Sequence, residues 1–163
     1  MFYWSYKDLK VYDTNIIQHT ILVKEEEKTF KQKIIRINPL LLPLIEKEVK
    51  KLFDAKIIVS LCFFKWVANL VPARKKNGEI RLDVYFINLN RVSLKENYPL
   101  LKMDHIMQKL VGSQKISMLD GFYGYNQILV HPNDKEKTTF KTPWGNFMYV
   151  KMPFRLMNVG ATF

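Results

Sequence analysis

Residues 117–130, SMLDGFYGYNQILV, put one carboxylate, Asp120, at the end of an apolar run and follow it with Gly121, Gly124, three aromatic residues and a second apolar run. Glycine brings no Cβ, so the pair suits a sharp turn that a ligand or another backbone approaches closely. Taken alone, the aspartate reads more readily as a turn residue than as a ligand. What decides between the two readings is the rest of the chain.

The chain has 163 residues, enough for one domain with a real core and too few for two ordinary ones. Nearly half of them are hydrophobic, which argues against disorder. Lys and Arg number 26 against 15 Asp and Glu, a formal net charge of +11 that suits a polyanionic partner such as nucleic acid and equally suits a solvated Lys-rich face. The single cysteine, Cys62, excludes an internal disulfide and any CxxC metal site and is expected to pack in or near the core. No apolar run reaches the roughly 20 residues of a membrane helix, and MFYWSYKDLK lacks the apolar core of a signal peptide. A cytoplasmic or nuclear setting without membrane contact is therefore the expectation.

In NPLLLPLIEKEVKKLFDAKII, residues Leu41, Leu44, Ile45, Val49, Leu52 and Phe53 recur at helical spacing while Lys47, Lys50 and Lys51 face outward. Asn38 followed by Pro39 marks the start of that helix. Alternation then predicts two strands, Val67 to Ala73 and Glu79 to Phe86, joined at Asn77-Gly78 into a β-hairpin with Arg74, Lys75 and Lys76 near its tip. A second helix is predicted from about Asp104 to Leu110, capped by Asp104, ended by Gly112 and burying Ile106, Met107 and Leu110. Short β-like runs follow, KISMLD, NQILVH, KTTFKT and NFMYVKM, with turns at Gly121, Gly124, Pro132-Asn133 and Trp144-Gly145. Strands in runs with helices between them indicate an α+β class rather than a doubly wound sheet. MNVGATF reads as a loop entering a helix.

Nucleophilic and dinucleotide chemistry find no motif here. His19, His105 and His131 stand at no metal-ligand spacing from one another. The basic and aromatic mixture of Lys65, Trp66, Lys137, Lys141 and Trp144 suits backbone contact with stacking, although most such aromatics at alternating positions are core.

In this order, WSYKDL, QHTILV, RINP, PARKKNGEIRL, NLN, YPL, SMLDGFYGYNQILV, KTTFKTPWGNFMYVKMPF and NVGATF resemble the reverse transcriptase of gypsy-type LTR retrotransposons, notably those of plants. The resemblance runs from about Trp4 to Phe163, with residues 1–16 as an upstream segment and 17–163 as a partial reverse transcriptase domain. It implies the fingers and upper palm of a right-hand polymerase, truncated, whose family activity is RNA- and DNA-templated DNA synthesis on a primer-template with dNTPs.

Further expectations rest on that resemblance. Asp120 matches the first metal-binding aspartate, Tyr125 the aromatic beneath the incoming sugar, and Phe154 of Met152-Pro153-Phe154 a contact to the nascent base pair. Lys75, Lys76 and Arg81 fall where the family reaches toward the triphosphate, Arg81 being the strongest of the three because it lies inside a strand. Phosphoryl transfer of this kind needs charge stabilisation, supplied by two Mg2+ ions about 3.5 to 4 Å apart on carboxylate and carbonyl oxygens.

Three departures limit this expectation. The family's V-D-[FY]-R-x-L-N is here Val84-Tyr85-Phe86-Ile87-Asn88-Leu89-Asn90, without the aspartate and arginine. Arg155 replaces a glycine, where a long cation is expected to obstruct the nucleotide or template path or at least to bend the loop, and Asp83 places a charge on a strand where an apolar residue or Cys is usual. The Y-x-D-D motif that carries the other two carboxylates does not occur in the 163 residues. The sequence therefore predicts a fragment inactive alone, unless another chain completes the palm; the alternative is a non-catalytic nucleic-acid-binding remnant.

Overall fold

Asn38 Oδ1 accepts the Leu40 amide at 3.0 Å and starts a 3-10 turn, Pro39–Leu41, that runs directly into helix α1, Leu42–Asp54. The structure, a computed structural model, describes residues 10–76, 78–99, 102–116 and 124–163. Ile45 and Val49, one turn apart on α1, are buried, and Leu41 and Leu52 pack beside them. Leu44 and Phe53 stay largely exposed, so the buried stripe is narrower than the sequence spacing implies.

Past α1 come β1 (Ile58–Ser60), β2 (Ala68–Arg74), β3 (Ile80–Tyr85), α2 (Ile87–Val92), α3 (Met103–Leu110), β4 (Phe140–Thr142), β5 (Gly145–Tyr149) and α4 (Val159–Thr162). Among the described residues the strands form one sheet in the order β1-β5-β4-β2-β3. Only the β4–β2 pairing is parallel, at Ala68↔Phe140 and Asn69↔Lys141. β2 and β3 form the predicted hairpin within one residue of the predicted ends, and Gly78 in its turn has φ +84°, a conformation natural to glycine. Pro72 is tolerated because β4 pairs β2 only at its start, and among the described residues no strand pairs the rest of that side.

The core gathers α1, the sheet and α2 around Phe86, Phe140, Ile57, Ile58, Ile128 and Met152, each nearly sealed from solvent. An aromatic run crosses it, from Phe86 through Tyr149 and Phe140 to Phe147 and the edge of Phe53, with centroid separations between 5.4 and 6.4 Å. Residues 10–37 form no regular strand but are tied down repeatedly. The Tyr12 amide donates to the Gln127 carbonyl, His19 and Val23 bridge to Val130 and Ser93, and Lys31 bridges to Val67. Gln32 completes this strap: its side chain receives the Asn69 amide and donates to the Tyr85 carbonyl and Asn88 Oδ1.

Several sequence expectations are corrected. Lys102, not Asp104, is the residue before the first turn of α3, and it makes no side-chain cap; Asp104 lies inside that turn, where its charge suits the helix N-terminus. The stripe Ile106, Met107 and Leu110 is not buried: Met107 is more than half exposed, because an apolar stripe is covered only when another element packs on it and none does so among the described residues. NQILVH makes isolated bridges at Leu129 and Val130 rather than a strand. Pro132–Thr138 is a 3-10 helix, so KTTFKT is extended only from Phe140. Thr138 Oγ1, fully buried, receives the Tyr149 amide at 2.9 Å and donates to the Lys135 carbonyl, which draws the chain away from a strand. Cys62 is exposed, in the loop after β1. Helix α2 was not foreseen; six residues show too little of a helical period to be recognised. The predicted KISMLD strand and the Asn77 half of the hairpin turn lie wholly or partly outside the described residues.

Candidate nucleotide and template face

Successive strand residues point to opposite faces, and β3 sorts its side chains accordingly. Ile80, Leu82 and Val84 turn to the core, whereas Arg81, Asp83 and Tyr85 share the other face. Over that second face lies the turn around Phe154 and Arg155. Arg81 Nε reaches Asp83 Oδ1 at 3.2 Å, and Arg155 Nη2 donates to Asp83 Oδ2 at 2.9 Å. Each carboxylate oxygen thus meets one guanidinium. The Arg81 guanidinium also lies 5.2 Å from the Phe154 ring centre, and that of Arg155 lies 4.9 Å from Tyr85, both within cation–π range.

Phe154 in turn faces Tyr125, with ring centres 6.0 Å apart, and Tyr125 meets Phe163 edge-on at 5.0 Å. Gly124 is what admits Phe163. A Cβ there would lie 2.5 Å from a ring carbon of Phe163, so any larger residue would push that ring off Tyr125. Of the five nucleotide contacts predicted from sequence, Arg81, Phe154 and Tyr125 therefore form one continuous basic and aromatic face. Lys75 and Lys76 do not join it. They sit exposed at the hairpin tip, where Lys75 Nζ pairs with Glu79 at 3.2 Å, a contact worth little in solvent.

Asp120, with Gly121 and Phe122, lies outside the described residues. Among the described residues no group of three or more His, Cys, Asp or Glu side chains stands close enough to hold a metal ion. The described residues do not by themselves make a Mg2+ site.

Two features of this face were not legible in the sequence. Asp83 is 8% exposed, and its charge is met by both arginines. Arg155, expected to obstruct the nucleotide or template path or at least to bend the loop, folds its guanidinium onto Asp83 and Tyr85. The two belong to strands of sequence 72 positions apart, and nothing local in either announces the other. Asn90 was also missed: its Nδ2 donates to the Arg155 carbonyl at 2.8 Å and its Oδ1 accepts the Met157 amide at 3.0 Å. Asn158 holds the next step of the loop by donating to the Leu94 carbonyl at 2.7 Å.

Two buried titratable groups flank this region. His19 is sealed from solvent with Nδ1 2.8 Å from Thr162 Oγ1, and burial lowers its pKa to about 4 against an opposing pull from Asp134. Asp134 itself receives the Ile21 amide and the Lys137 ammonium. Lys151, just before Met152-Pro153-Phe154, is also buried, and desolvation lowers its pKa. No helix among the described residues is long and apolar enough to cross a membrane.

No protein-family model matches the chain. Individual relatives do. It is 33% identical over 98 residues to the retrovirus-related Pol polyprotein from transposon 297 of Drosophila melanogaster, a match covering 60% of this chain and 9% of that one. An RNA-directed DNA polymerase homolog of Oenothera berteroana is 33% identical over 84 residues, 52% of this chain and 59% of its own length. The Pol polyprotein from the Drosophila melanogaster transposon gypsy is 31% identical over 87 residues, 53% of this chain and 8% of its own. In structure, the chain superposes on prototype foamy virus protease-reverse transcriptase with a TM-score of 0.72 at 16% identity, covering 91% of this chain and 22% of that one. The foamy viral protease-reverse transcriptase in complex with an RNA/DNA hybrid gives a TM-score of 0.71 at 14% identity, over 94% of this chain and 21% of that one. The chain thus spans only a part of each protein that it matches.

Proposed function

We propose, from the premise that this chain's homologues are retrotransposon Pol polyproteins and that its fold is that of a reverse transcriptase, that it serves as the fingers and upper palm of a template-directed DNA polymerase, with residues 17–163 as that partial domain. The observation that carries this reading is the single face joining Arg81, Phe154 and Tyr125. A planar cation beside two rings suits a nucleotide, offering charge to phosphate and flat surface to base or sugar.

In this reading Tyr125 and Phe154 shape the floor on which the incoming dNTP rests, and Arg81 contributes positive charge beside it. Lys75 and Lys76 approach the phosphates from the hairpin tip. Asp120 is the proposed ligand for Mg2+, whose bound charge would neutralise the transferring phosphate. Its partner carboxylates must come from outside residues 1–163, from further chain or a second chain, since no Y-x-D-D lies within them. The net charge of +11 supports a primer-template, RNA or DNA, as the macromolecular partner; a cytoplasmic or nuclear setting is where such a partner would be met.

The same charge favours a second reading, a basic nucleic-acid-binding module without catalysis, which dNTP binding separates from the first. Primer extension by the 163-residue chain with Mg2+ or Mn2+ is expected to give no product; incorporation abolished by Asp120→Ala would overturn that inactivity. Binding to a primer-template is expected to weaken steeply with salt, and Lys75→Ala, Lys76→Ala and Arg81→Ala each to lower the slope of log affinity against log salt by about 1. Salt-independent affinity, or a slope unchanged in all three variants, would refute the nucleic-acid assignment. The polymerase reading further expects Tyr125→Ala to weaken dNTP binding to the primer-template complex; dNTP binding absent from the wild type would leave the binding module alone standing.

A further inference from the structure

Arg155 has φ +74°, the left-handed region that a residue with a Cβ seldom occupies. Such a backbone persists only where its surroundings over-determine it. Here they do so from three sides. The Arg155 carbonyl is held by Asn90 Nδ2, the amide two residues on is held by Asn90 Oδ1, and the guanidinium is held by Asp83 Oδ2 and stacked on Tyr85. Phe154, the residue immediately before, is 44% exposed, and among the described residues its ring meets Arg81 and Tyr125. Its place on the face is therefore set by the turn that carries it, and that turn is tied to β3 through Arg155.

Asp83 links the two ends of this arrangement. It anchors Arg155 through one oxygen and Arg81 through the other, so the carboxylate fixes at once the cation beside Phe154 and the turn that presents Phe154. We propose that Asp83 and Arg155 are a pair of positioning residues, a latch between β3 and the 154–157 turn that sets the Arg81–Phe154–Tyr125 face for its nucleotide. This deepens the function proposed above and rests on it for the identity of the ligand. The latch itself is a property of the apo chain and is testable without one.

The test uses the 163-residue chain carrying 4-fluorophenylalanine at Phe154, read by fluorine NMR. Asp83→Asn and Arg155→Gln, both close in shape to the originals, are each expected to move the Phe154 line away from its wild-type position and to lower Tm by about 2–8 °C. The double variant is expected to move the line by less than the sum of the two single changes, because the Asp83–Arg155 contact is lost in both. Were the pair merely structural, Tm would fall while the folded-state line stayed in place, and that result would overturn the proposal, as would shifts that simply add. Should a variant fail to fold, the wild type alone decides through its Arg155 Nη–H signals. The latch requires slowed rotation about Cζ–Nη relative to the exposed Arg74, and rotation as free as that of Arg74 would refute it. A wild type that fails to bind primer-template would remove the proposed function and leave the latch intact; an unresponsive Phe154 line would do the reverse.

Discussion

Phe140→Ala is expected to destabilise the protein by about 3–5 kcal/mol, the usual cost of deleting a fully enclosed aromatic side chain. Phe140 is 0% exposed and sits on β4, with β5 on one side and β2 on the other. Its ring contacts Phe147 at 6.0 Å and Tyr149 at 5.4 Å. Its loss leaves a void at the middle of the sheet and severs the aromatic run that reaches from Phe86 to Phe53. The parallel β2–β4 pairing is only two residues long, so it has little reserve with which to compensate. Urea unfolding followed by circular dichroism should show a lower midpoint with an unchanged slope. The control is Phe154→Ala: a ring 44% exposed should cost less than about 1 kcal/mol, so comparable losses at both positions would contradict this assignment of the core.

Acid is expected to destabilise the protein through His19. Its folded pKa lies near 4 and its ordinary value at 6.5. Below pH 6.5 the unfolded chain takes up a proton that the folded form refuses until about pH 4. Stability rises with pH wherever the unfolded state holds more protons, so the contribution is complete above pH 6.5 and is lost as pH falls toward 4. The full loss amounts to roughly 3 kcal/mol. Physically, the neutral ring is carried by the 10–37 strap and lies against Thr162, with its backbone bonded to Leu129 and His131, and charging it there forfeits hydration. Unfolding free energies at pH 7, 5.5 and 4 should diverge between the wild type and His19→Gln, the variant losing less on acidification. Parallel pH profiles would show that the ring does not govern acid stability.

What the sequence made legible was whatever repeats locally. The β2–β3 hairpin was readable because alternation flanks an Asn-Gly pair, and α1 because its apolar period runs for 13 residues behind a capping asparagine. The 3-10 helix at Pro132–Thr138 was hidden, since a polar heptad without periodicity reads as a turn until Thr138 is seen to serve the Tyr149 amide. Of the candidate face, Arg81, Tyr125 and Phe154 were each picked out through the family resemblance, yet nothing in the sequence said that they touch. Asp83 and Arg155 were noticed as two separate anomalies. Only the fold makes them a single neutralising contact, because charge pairing across the turn depends on distance in space.

The order of strands in the sheet also bears on how the chain acquires it. β1 and β2 emerge early in synthesis, but Ile58 must wait for Tyr149 and Ala68 for Phe140 before either gains its cross-strand partner. Loop-closure entropy has to be met before those pairings reward it, so the central strand β4 acts as a late keystone and folding is expected to be slow for a chain of this size. Until β4 arrives, the edge of β2 that it pairs is open to neighbouring chains, which makes the interval before closure the period of greatest exposure to aggregation.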